Sequence, residues 1–155
     1  MNPIIIRPAR HTDLDTLFRF EQGVIASERP FDPTLKEDPI HYYDLPAMID
    51  APEVALVVAE SAGVLIGSGY ARIEPAKPYL RHPLHAYLGF MYVEPSHRGN
   101  GINHMIIDAL KAWALSRNIT ELRLDVYYAN TSAIRAYEKA GFSQHMINMR
   151  RGITP

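Results

Sequence analysis

The segment Glu94-Pro95-Ser96-His97-Arg98-Gly99-Asn100-Gly101-Ile102 joins a predicted strand to a predicted helix. Before this segment, His85–Val93 is apolar at most positions, which is typical of a strand covered on both faces. After it, apolar residues recur with the three- and four-residue spacing of a helical stripe. The residues of this stripe are Ile102, Met105, Ile106, Ala109, Leu110 and Trp113. The order of strand, glycine-containing loop and helix indicates an α/β fold.

The two glycines of this loop favour an anion-binding site. Gly99 and Gly101 permit close approach of the backbone to a ligand. The N–H groups of the loop would join the unpaired N-terminal donors and the positive dipole end of the following helix. A phosphate group suits such a site, and the alternative is an ordinary tight turn between a strand and a helix.

Two common nucleotide loops do not fit this segment. A P-loop requires Lys and then Ser or Thr after its last glycine, and a dinucleotide fold requires a third glycine three residues after the second. Gly101 is instead followed by Ile102, Asn103 and His104. A domain that binds ATP or a dinucleotide through this loop is therefore a disfavoured hypothesis.

Residues upstream of the loop predict two helices and three strands. The run Ile4–Ile6 suits a first strand, and Thr12 or Asp13 could cap a helix that carries Leu14, Leu17 and Phe18. The proline-rich stretch 28–50 is interpreted as a loop and a second helix. Residues 54–60 and 64–74 are rich in β-branched side chains, and the intervening Ser61-Ala62-Gly63 predicts a hairpin.

Residues downstream of the loop predict strand, helix and strand. Apolar and charged residues alternate over 121–126, as in a half-buried strand. Helical spacing returns at Ala133, Ala136, Tyr137 and Ala140, and Gly141 is a predicted helix stop. Residues 142–149 are predicted to form the last strand.

The composition predicts one domain over residues 1–155 and excludes several functions. There is no cysteine, so disulfides, thiolate zinc sites and a cysteine nucleophile are excluded, and the reducing cytoplasm is the expected location. No segment approaches the roughly 20 apolar residues of a membrane span. The net charge of -1 gives no basis for nucleic-acid binding. His82 and His85 alone cannot specify a metal site, and no metal is predicted.

Two blocks of residues together resemble a known family. The first block consists of Val93, Pro95, Arg98, Gly99, Gly101 and Ile102, and the second of Asn130, Ala133, Ala136, Tyr137, Lys139, Gly141 and Phe142. The first resembles the pyrophosphate loop of the GCN5-related N-acetyltransferase superfamily and the second resembles its C-terminal motif, so that the resemblance covers about residues 54–150. Ser96 stands where the family often has Gln or Arg, so the resemblance gives no basis for a side-chain contact there, and Asn103 stands where glycine is frequent.

This resemblance implies an N-acetyltransferase that moves an acetyl group from acetyl-CoA, its cosubstrate, to a primary amine. It implies a single-domain α/β fold with a mixed, mainly antiparallel sheet flanked by helices, in which the strands ending at Val93 and near Val126 splay to form the acetyl-CoA cleft. Tyr137 would protonate the departing thiolate, because a phenol with a reference pKa of about 10 keeps its proton at neutral pH. Gly89 could mark a bulge at the start of the opening, or could only accommodate packing. The cofactor-binding residues implied are Met91, Tyr92, Val93, Arg98, Gly99, Asn100, Gly101, Ile102, Asn103, Asn130 and Tyr137.

The amine acceptor requires its own residues, because an ammonium group must lose a proton before it attacks a thioester. His85 is the favoured relay for this proton. An acidic and aromatic set could hold a cationic amine, namely Glu28, Phe31, Asp32, Tyr42 and Tyr43. Arg72 could instead bind a carboxylate of the acceptor. The substrate-binding residues predicted are Glu28, Phe31, Tyr42, Arg72 and Tyr87. Family members are often dimers, so a homodimer is allowed, and the alternative function is a non-catalytic module that binds coenzyme A as a sensor or scaffold.

Overall fold

A computed structural model describes residues 2–155 of the chain, which divide into two compact units after Asp125. The first unit contains a five-stranded sheet in the order β1-β2-β3-β4-β5. The pairs β1–β2, β2–β3 and β3–β4 are antiparallel, and β4–β5 is parallel, as predicted for a mixed, mainly antiparallel sheet. Its elements in chain order are β1 Ile4–Pro8, α1 Leu14–Glu28, α2 Leu45–Asp50, β2 Val54–Ser61, β3 Val64–Pro75, β4 Leu84–Val93, α3 Ile102–Ser116 and β5 Leu122–Arg123.

The predicted hairpin is confirmed. The strands β2 and β3 pair from Ser61↔Val64 onward. Ala62 and Gly63 both have positive φ, 51° and 78°. Two successive residues of positive φ form the tight turn whose twist matches the right-handed twist of the strands that it joins.

Helices cover both faces of the sheet, as expected. One core cluster joins α1 and α2 to Leu56 and Val58 of β2 and to Tyr70 and Phe90 of β3 and β4. On the other face, Ile106 of α3 packs so closely over Gly67 and Gly69 that a Cβ on either glycine would lie 3.3 or 2.6 Å from it. The buried stripe of α3 is rotated from the predicted one, since Met105 is 37% exposed and Ile107 is buried. The buried residues of α3 are Ile102, Ile106, Ile107, Leu110 and Ala114.

The second unit contains one helix, α4 Thr131–Lys139, within residues 126–155. Asn130 is its N-cap, with Oδ1 accepting from Ala133 N at 3.2 Å. Gly141 has φ 98°, and the backbone N–H of Phe142 donates to Tyr137 O at 3.0 Å, so the predicted helix stop is confirmed.

Two strand predictions were wrong or too long. Residues 143–155 contain no regular secondary structure, because the second unit has no strand with which this segment could pair. The strand predicted over 121–126 is reduced to Leu122–Arg123, because it pairs with β4 only at Ala86 and Tyr87. No helix within residues 2–155 has both the length and the apolar character needed to cross a membrane.

An ion network ties the start of α1 to the first two strands. Arg7 donates to both oxygens of Asp13 at 2.9 and 3.0 Å and also reaches Glu60 of β2 at 3.4 Å. Asp13 was predicted as a possible cap for α1, but its carboxylate accepts from Arg10 N at 2.8 Å rather than from the helix. The hydrogen bond from Arg7 lowers the pKa of Asp13 below its usual value.

We predict that Asp13→Asn lowers the free energy of unfolding by about 1–3 kcal/mol at pH 7, because it removes charge-assisted hydrogen bonds from a buried group. Since the folded-state pKa is depressed, this contribution is present above the unfolded pKa of about 3.9 and is lost as the pH falls through the folded value. Urea unfolding of both proteins at pH 7 and pH 3 measures it, and exposed Asp15→Asn is the control. A difference that stays equal at both pH values would contradict the prediction.

Candidate active site

The glycine loop adopts the backbone conformation that only glycine accepts easily. Gly99 has φ 81° and Gly101 has φ 76°, both in the left-handed region. A Cβ placed on either residue would meet no atom within 4 Å, so the requirement is conformational rather than spatial. The surface beside both glycines is therefore open to a ligand.

The N-terminus of α3 presents unpaired donors next to this loop. Gly101 is the N-cap and supplies no side-chain acceptor. The first helical hydrogen bond runs from Met105 N to Gly101 O at 3.1 Å. The amides of Ile102, Asn103 and His104 consequently have no acceptor within the helix, and they lie at its positive end. This arrangement suits a phosphate group.

Two predicted side chains of the loop stabilise the loop itself. Arg98 Nε donates to Val93 O at 3.0 Å, and Asn100 Nδ2 donates to His97 O at 3.1 Å. The first bond holds the loop against the end of β4, and the second closes a turn within the loop. Backbone N–H groups, rather than these side-chain atoms, are thus the loop's main donors toward an anion.

A β-bulge interrupts β4 beside Gly89. The register passes from Tyr70↔Gly89 to Ser68↔Tyr92, so that Phe90 and Met91 together face one residue of β3. Phe90 has φ 55°, and Ser68 Oγ donates to Phe90 O at 3.0 Å. Both expectations for Gly89 apply, because it adjoins the bulge and its missing side chain also accommodates Tyr70.

Beyond the bulge, no strand within residues 2–125 pairs with the outer edge of β4. The strand β5 pairs with β4 only at Ala86 and Tyr87, while β4 continues to Val93. Glu94 N donates to Ile66 O of β3, so the alternation of a strand places the backbone groups of Tyr92 on the β3 side. Three residues of β4, Met91, Tyr92 and Val93, were predicted to bind the cofactor through their backbone groups. The N–H groups of Met91 and Val93 face the outer edge of β4, whereas the N–H group of Tyr92 faces β3.

The first half of β4 forms, with β3, a charged and aromatic face. Arg72 lies opposite Tyr87 in the strand register, and Glu74 lies opposite His85. Arg72 Nε and Nη2 both donate to Glu74 Oε2, at 2.8 and 2.7 Å. The guanidinium carbon of Arg72 also lies 5.5 and 5.8 Å from the ring centroids of Tyr70 and Tyr87. Arg72 is thus already engaged by a carboxylate and two rings.

His85 and Tyr87 are each oriented by a carboxylate on this face. His85 Nε2 lies 3.2 Å from Glu74 Oε1, and its Nδ1 is buried without a hydrogen-bond partner among residues 2–155. Tyr87 Oη donates to Asp125 Oδ2 at 3.1 Å. Burial raises the pKa of Tyr87, with the charge of Asp125 acting in the same direction, so its phenol remains a donor at neutral pH.

The segment before α2 adds aromatic rings to the same face, next to Glu28 at the end of α1. Burial raises the pKa of Glu28, while a hydrogen bond from Tyr42 acts in the opposite direction. The ring of Tyr43 lies 5.7 Å from those of Tyr42 and Tyr70 and 5.0 Å from that of Phe90. Phe31 lies nearby in sequence, in the short 3-10 helix Arg29–Phe31.

The structure brings together most of the predicted residues of the first unit and adds others to them. Asn130 and Tyr137 belong to the second unit, where the ring of Tyr137 lies 5.9 Å from that of Phe142 in an edge-on geometry. The two-residue spacing of Tyr70, Arg72 and Glu74 is the sequence signal that places their side chains on one face of β3. No group of three or more His, Asp or Glu within residues 2–155 is placed to hold a metal ion. The residues missed from the sequence are Tyr70, Glu74 and Asp125.

We predict that Gly89→Ala lowers the free energy of unfolding by about 1–3 kcal/mol, because overpacking forces buried side chains to move. The added Cβ would lie 2.6 Å from Cζ and Oη of Tyr70, which is 3% exposed. Urea unfolding measures the loss. Gly152→Ala, where a Cβ meets nothing within 4 Å, is the control and should be neutral. A Gly89→Ala protein as stable as the control would contradict the packing described here.

Comparison with known proteins agrees with this geometry. The model of the acetyltransferase (GNAT) family matches residues 20–142. Streptothricin acetyltransferase of Escherichia coli is 38% identical over 58 residues, which cover 37% of this chain and 33% of that enzyme. The chain therefore matches about a third of that relative's length.

Two solved structures share the fold at low identity. A predicted acetyltransferase with acetyl-CoA from Clostridium acetobutylicum has a TM-score of 0.76 and 19% identity, with 97% of this chain and 96% of the other covered. AAC(6')-Iy in complex with the bisubstrate analogue CoA-S-monomethyl-acetylneamine has a TM-score of 0.73 and 23% identity, with 97% and 99% covered. Because the family model matches most of the sequence and the fold agrees, the chain belongs to the acetyltransferase (GNAT) family.

Proposed function

We propose that this protein transfers an acetyl group from acetyl-CoA to a primary amine by direct attack of the amine on the thioester. The observation that carries the proposal is that three features of the candidate site lie along the single strand β4. Its C-terminal end meets a glycine loop with open amides, its outer edge is unpaired beyond the bulge, and its first half carries a charged and aromatic face. The cytoplasm as the location and a homodimer as the assembly remain predictions.

Family membership and the geometry of the loop support acetyl-CoA as cosubstrate. The amides of Ile102, Asn103 and His104, together with the loop at Gly99 and Gly101, would hold the pyrophosphate. The pantetheine amides would pair with Met91 and Val93, as a peptide adds to the edge of a sheet. The N–H group of Met91 lies farther from the glycine loop than that of Val93, and it would donate to the negative charge that develops on the thioester oxygen. The N–H group of Val93 and the carbonyl groups of the edge would then pair with the pantetheine amides.

The charged and aromatic face formed by Arg72 and Glu74 of β3 and by His85 and Tyr87 of β4 is called the acceptor face from here on, and its charges support a cationic amine. Glu28, Glu74 and Asp125 lie on or beside this face, and Arg72 is its one cation among the groups described above. Because Arg72 is paired with Glu74, the face retains an excess of carboxylates. It therefore favours an acceptor that carries positive charge over one that carries a carboxylate. Of the two predicted modes of binding, the acidic and aromatic set suits the acceptor better than Arg72 does.

His85 would accept the ammonium proton through water. Donation from Nε2 to Glu74 would leave Nδ1 as the basic atom of the ring. Because Nδ1 is buried without a partner among residues 2–155, the chain of waters would have to end in a water held inside the protein beside Nδ1. His85 precedes Phe90 by five positions, which is roughly 16 Å along an extended strand, so direct contact with the reacting amine is excluded and a chain of waters is required. Tyr137 would donate its phenol proton to the departing thiolate, as its motif implies.

We predict that acetyl-CoA at ~100 times its Kd stabilises the folded protein by about 2.7 kcal/mol and raises its Tm by roughly 5–10 °C. ATP and NAD should leave the Tm unchanged, because neither offers an acylated pantetheine arm to the edge of β4. Differential scanning fluorimetry measures the shifts. An equal shift with ATP would indicate a general phosphate site, and the absence of any shift would refute the proposed cosubstrate.

We predict that Tyr137→Phe lowers kcat by roughly 10²-fold or more, with the Kd for acetyl-CoA changed little, because the ring is kept and only the acidic proton is lost. Thiol release from acetyl-CoA with spermidine, neamine or a lysine peptide as acceptor provides the assay. Tyr128→Phe is the matched control, since Tyr128 lies in the same unit and is 86% exposed. Full activity of Tyr137→Phe would remove the assigned acid. Binding of acetyl-CoA without thiol release by the wild type would favour a non-catalytic module.

A further inference from the structure

Glu21 is a fully buried carboxyl group in the middle of α1. Its side chain has no exposed surface, although three hydrogen-bond donors surround it. His41 Nδ1 lies 2.8 Å from Oε1, and the backbone N–H groups of Tyr42 and Tyr43 both donate to Oε2 at 2.9 Å. A buried carboxyl group is costly unless it is hydrogen-bonded, so these contacts define one arrangement of the segment.

All three donors belong to the last residues of the loop that precedes α2. The next residue of α1, Gln22, donates from Nε2 to Ile40 O at 3.0 Å. Residues 40–43 have no regular secondary structure, so their backbone groups depend on partners outside the segment. The side chains of Glu21 and Gln22 supply these partners and attach the loop to the helix.

The attached segment carries the aromatic wall of the acceptor face. The Tyr42 hydroxyl influences the pKa of Glu28, and the ring of Tyr43 lies 5.0 Å from that of Phe90 and 5.7 Å from that of Tyr70. Phe90 is the bulge residue at which β4 begins its open edge. The position of Tyr43 against Phe90 therefore sets the distance between the acceptor wall and the backbone groups assigned to the thioester.

We propose that Glu21 is a positioning residue for the amine acceptor, because it fixes residues 41–43 and through them the wall formed by Tyr42 and Tyr43. This inference rests on the proposed acetyltransferase function. Glu21 has no exposed atom, so it does not touch the acceptor and acts only through the segment that it holds. Its removal should weaken productive binding of the acceptor and leave the glycine loop and the edge of β4 intact.

The test compares Glu21→Met with Glu21→Gln. Methionine keeps the length of the side chain but accepts no strong hydrogen bond. Glutamine keeps the shape, and its amide oxygen can accept from both backbone N–H groups while its NH₂ group donates to the imidazole. For the fastest acceptor among spermidine, neamine and a lysine peptide, the KM should rise about tenfold or more in Glu21→Met and stay within about twofold in Glu21→Gln. The Kd for acetyl-CoA, measured by calorimetry, should stay within about twofold in both variants.

A second measurement examines the segment directly. The amides of Tyr42 and Tyr43 should exchange slowly with deuterium in the wild type and in Glu21→Gln, and rapidly in Glu21→Met, while the amides of α3 stay protected. Slow exchange of both amides in Glu21→Met would overturn the structural basis. An equal rise in the acceptor KM and the acetyl-CoA Kd, or an unchanged acceptor KM, would overturn the positioning role.

If Glu21→Met does not fold, His41→Ala replaces it, since the His41 side chain is 62% exposed and its loss removes one of the three donors. The acceptor KM should then rise about threefold, because the segment is held by fewer bonds, and an unchanged value would overturn the inference. Failure of the wild type to turn over any of the three amines would refute the proposed function instead. The amide exchange would then decide by itself whether Glu21 holds the segment.

Discussion

The departure of β4 from a regular ladder at Phe90 is the constraint on which the candidate site depends. In a regular antiparallel strand, the side chains and the backbone N–H groups would keep one alternation from Leu84 to Val93. Here Phe90 takes a positive φ, its carbonyl accepts the hydroxyl of Ser68, and Tyr70 occupies the space left by Gly89. The bulge is therefore fixed by a buried hydrogen bond and by close packing, and bulges of this kind commonly redirect side chains beside active sites.

The residues at and after the bulge pack toward different helices. Phe90 and Tyr92 contact Tyr43 and Phe20, and so they join the core below α1. Met91 packs near Gly69 and Ile106, on the side of α3. One strand thus connects the helix that bears the open amides with the helix that bears Glu21. In the proposed function, a cosubstrate at one end of β4 and an acceptor at the other would meet near the bulge.

Three separate sets of contacts among the buried and half-buried charged groups each stabilise a different part of the first unit. Arg7 and Asp13 are mutually satisfied with Glu60, and this network holds the first strand to the start of α1. Glu21 is satisfied by one ring and two amides, and it orders a loop rather than a strand. Glu74 bridges Arg72 and His85, so a single carboxylate affects both a cation and a potential base. The acceptor face is in this way an extended network, in which the effect of one substitution depends on its neighbours.

The sequence by itself determined the elements whose causes are local. Gly99 and Gly101 were recognised because a positive φ is a property of one residue, and the hairpin at Ser61-Ala62-Gly63 and the stop at Gly141 follow for the same reason. Periodicity predicted α3. Its buried stripe includes Ile107 instead of the predicted Met105, because packing against the sheet decides which side of the helix is buried. The last strand was predicted wrongly, since a strand exists only where a partner strand is available to it. Only the tertiary structure decided the proposed acceptor face, where Tyr70, Glu74 and Asp125 join Tyr43 and other residues far apart in the chain. The contacts of Glu21 with His41, Tyr42 and Tyr43 span 20 to 22 positions, and no local pattern encodes them, because burial and register arise only when the whole sheet is assembled.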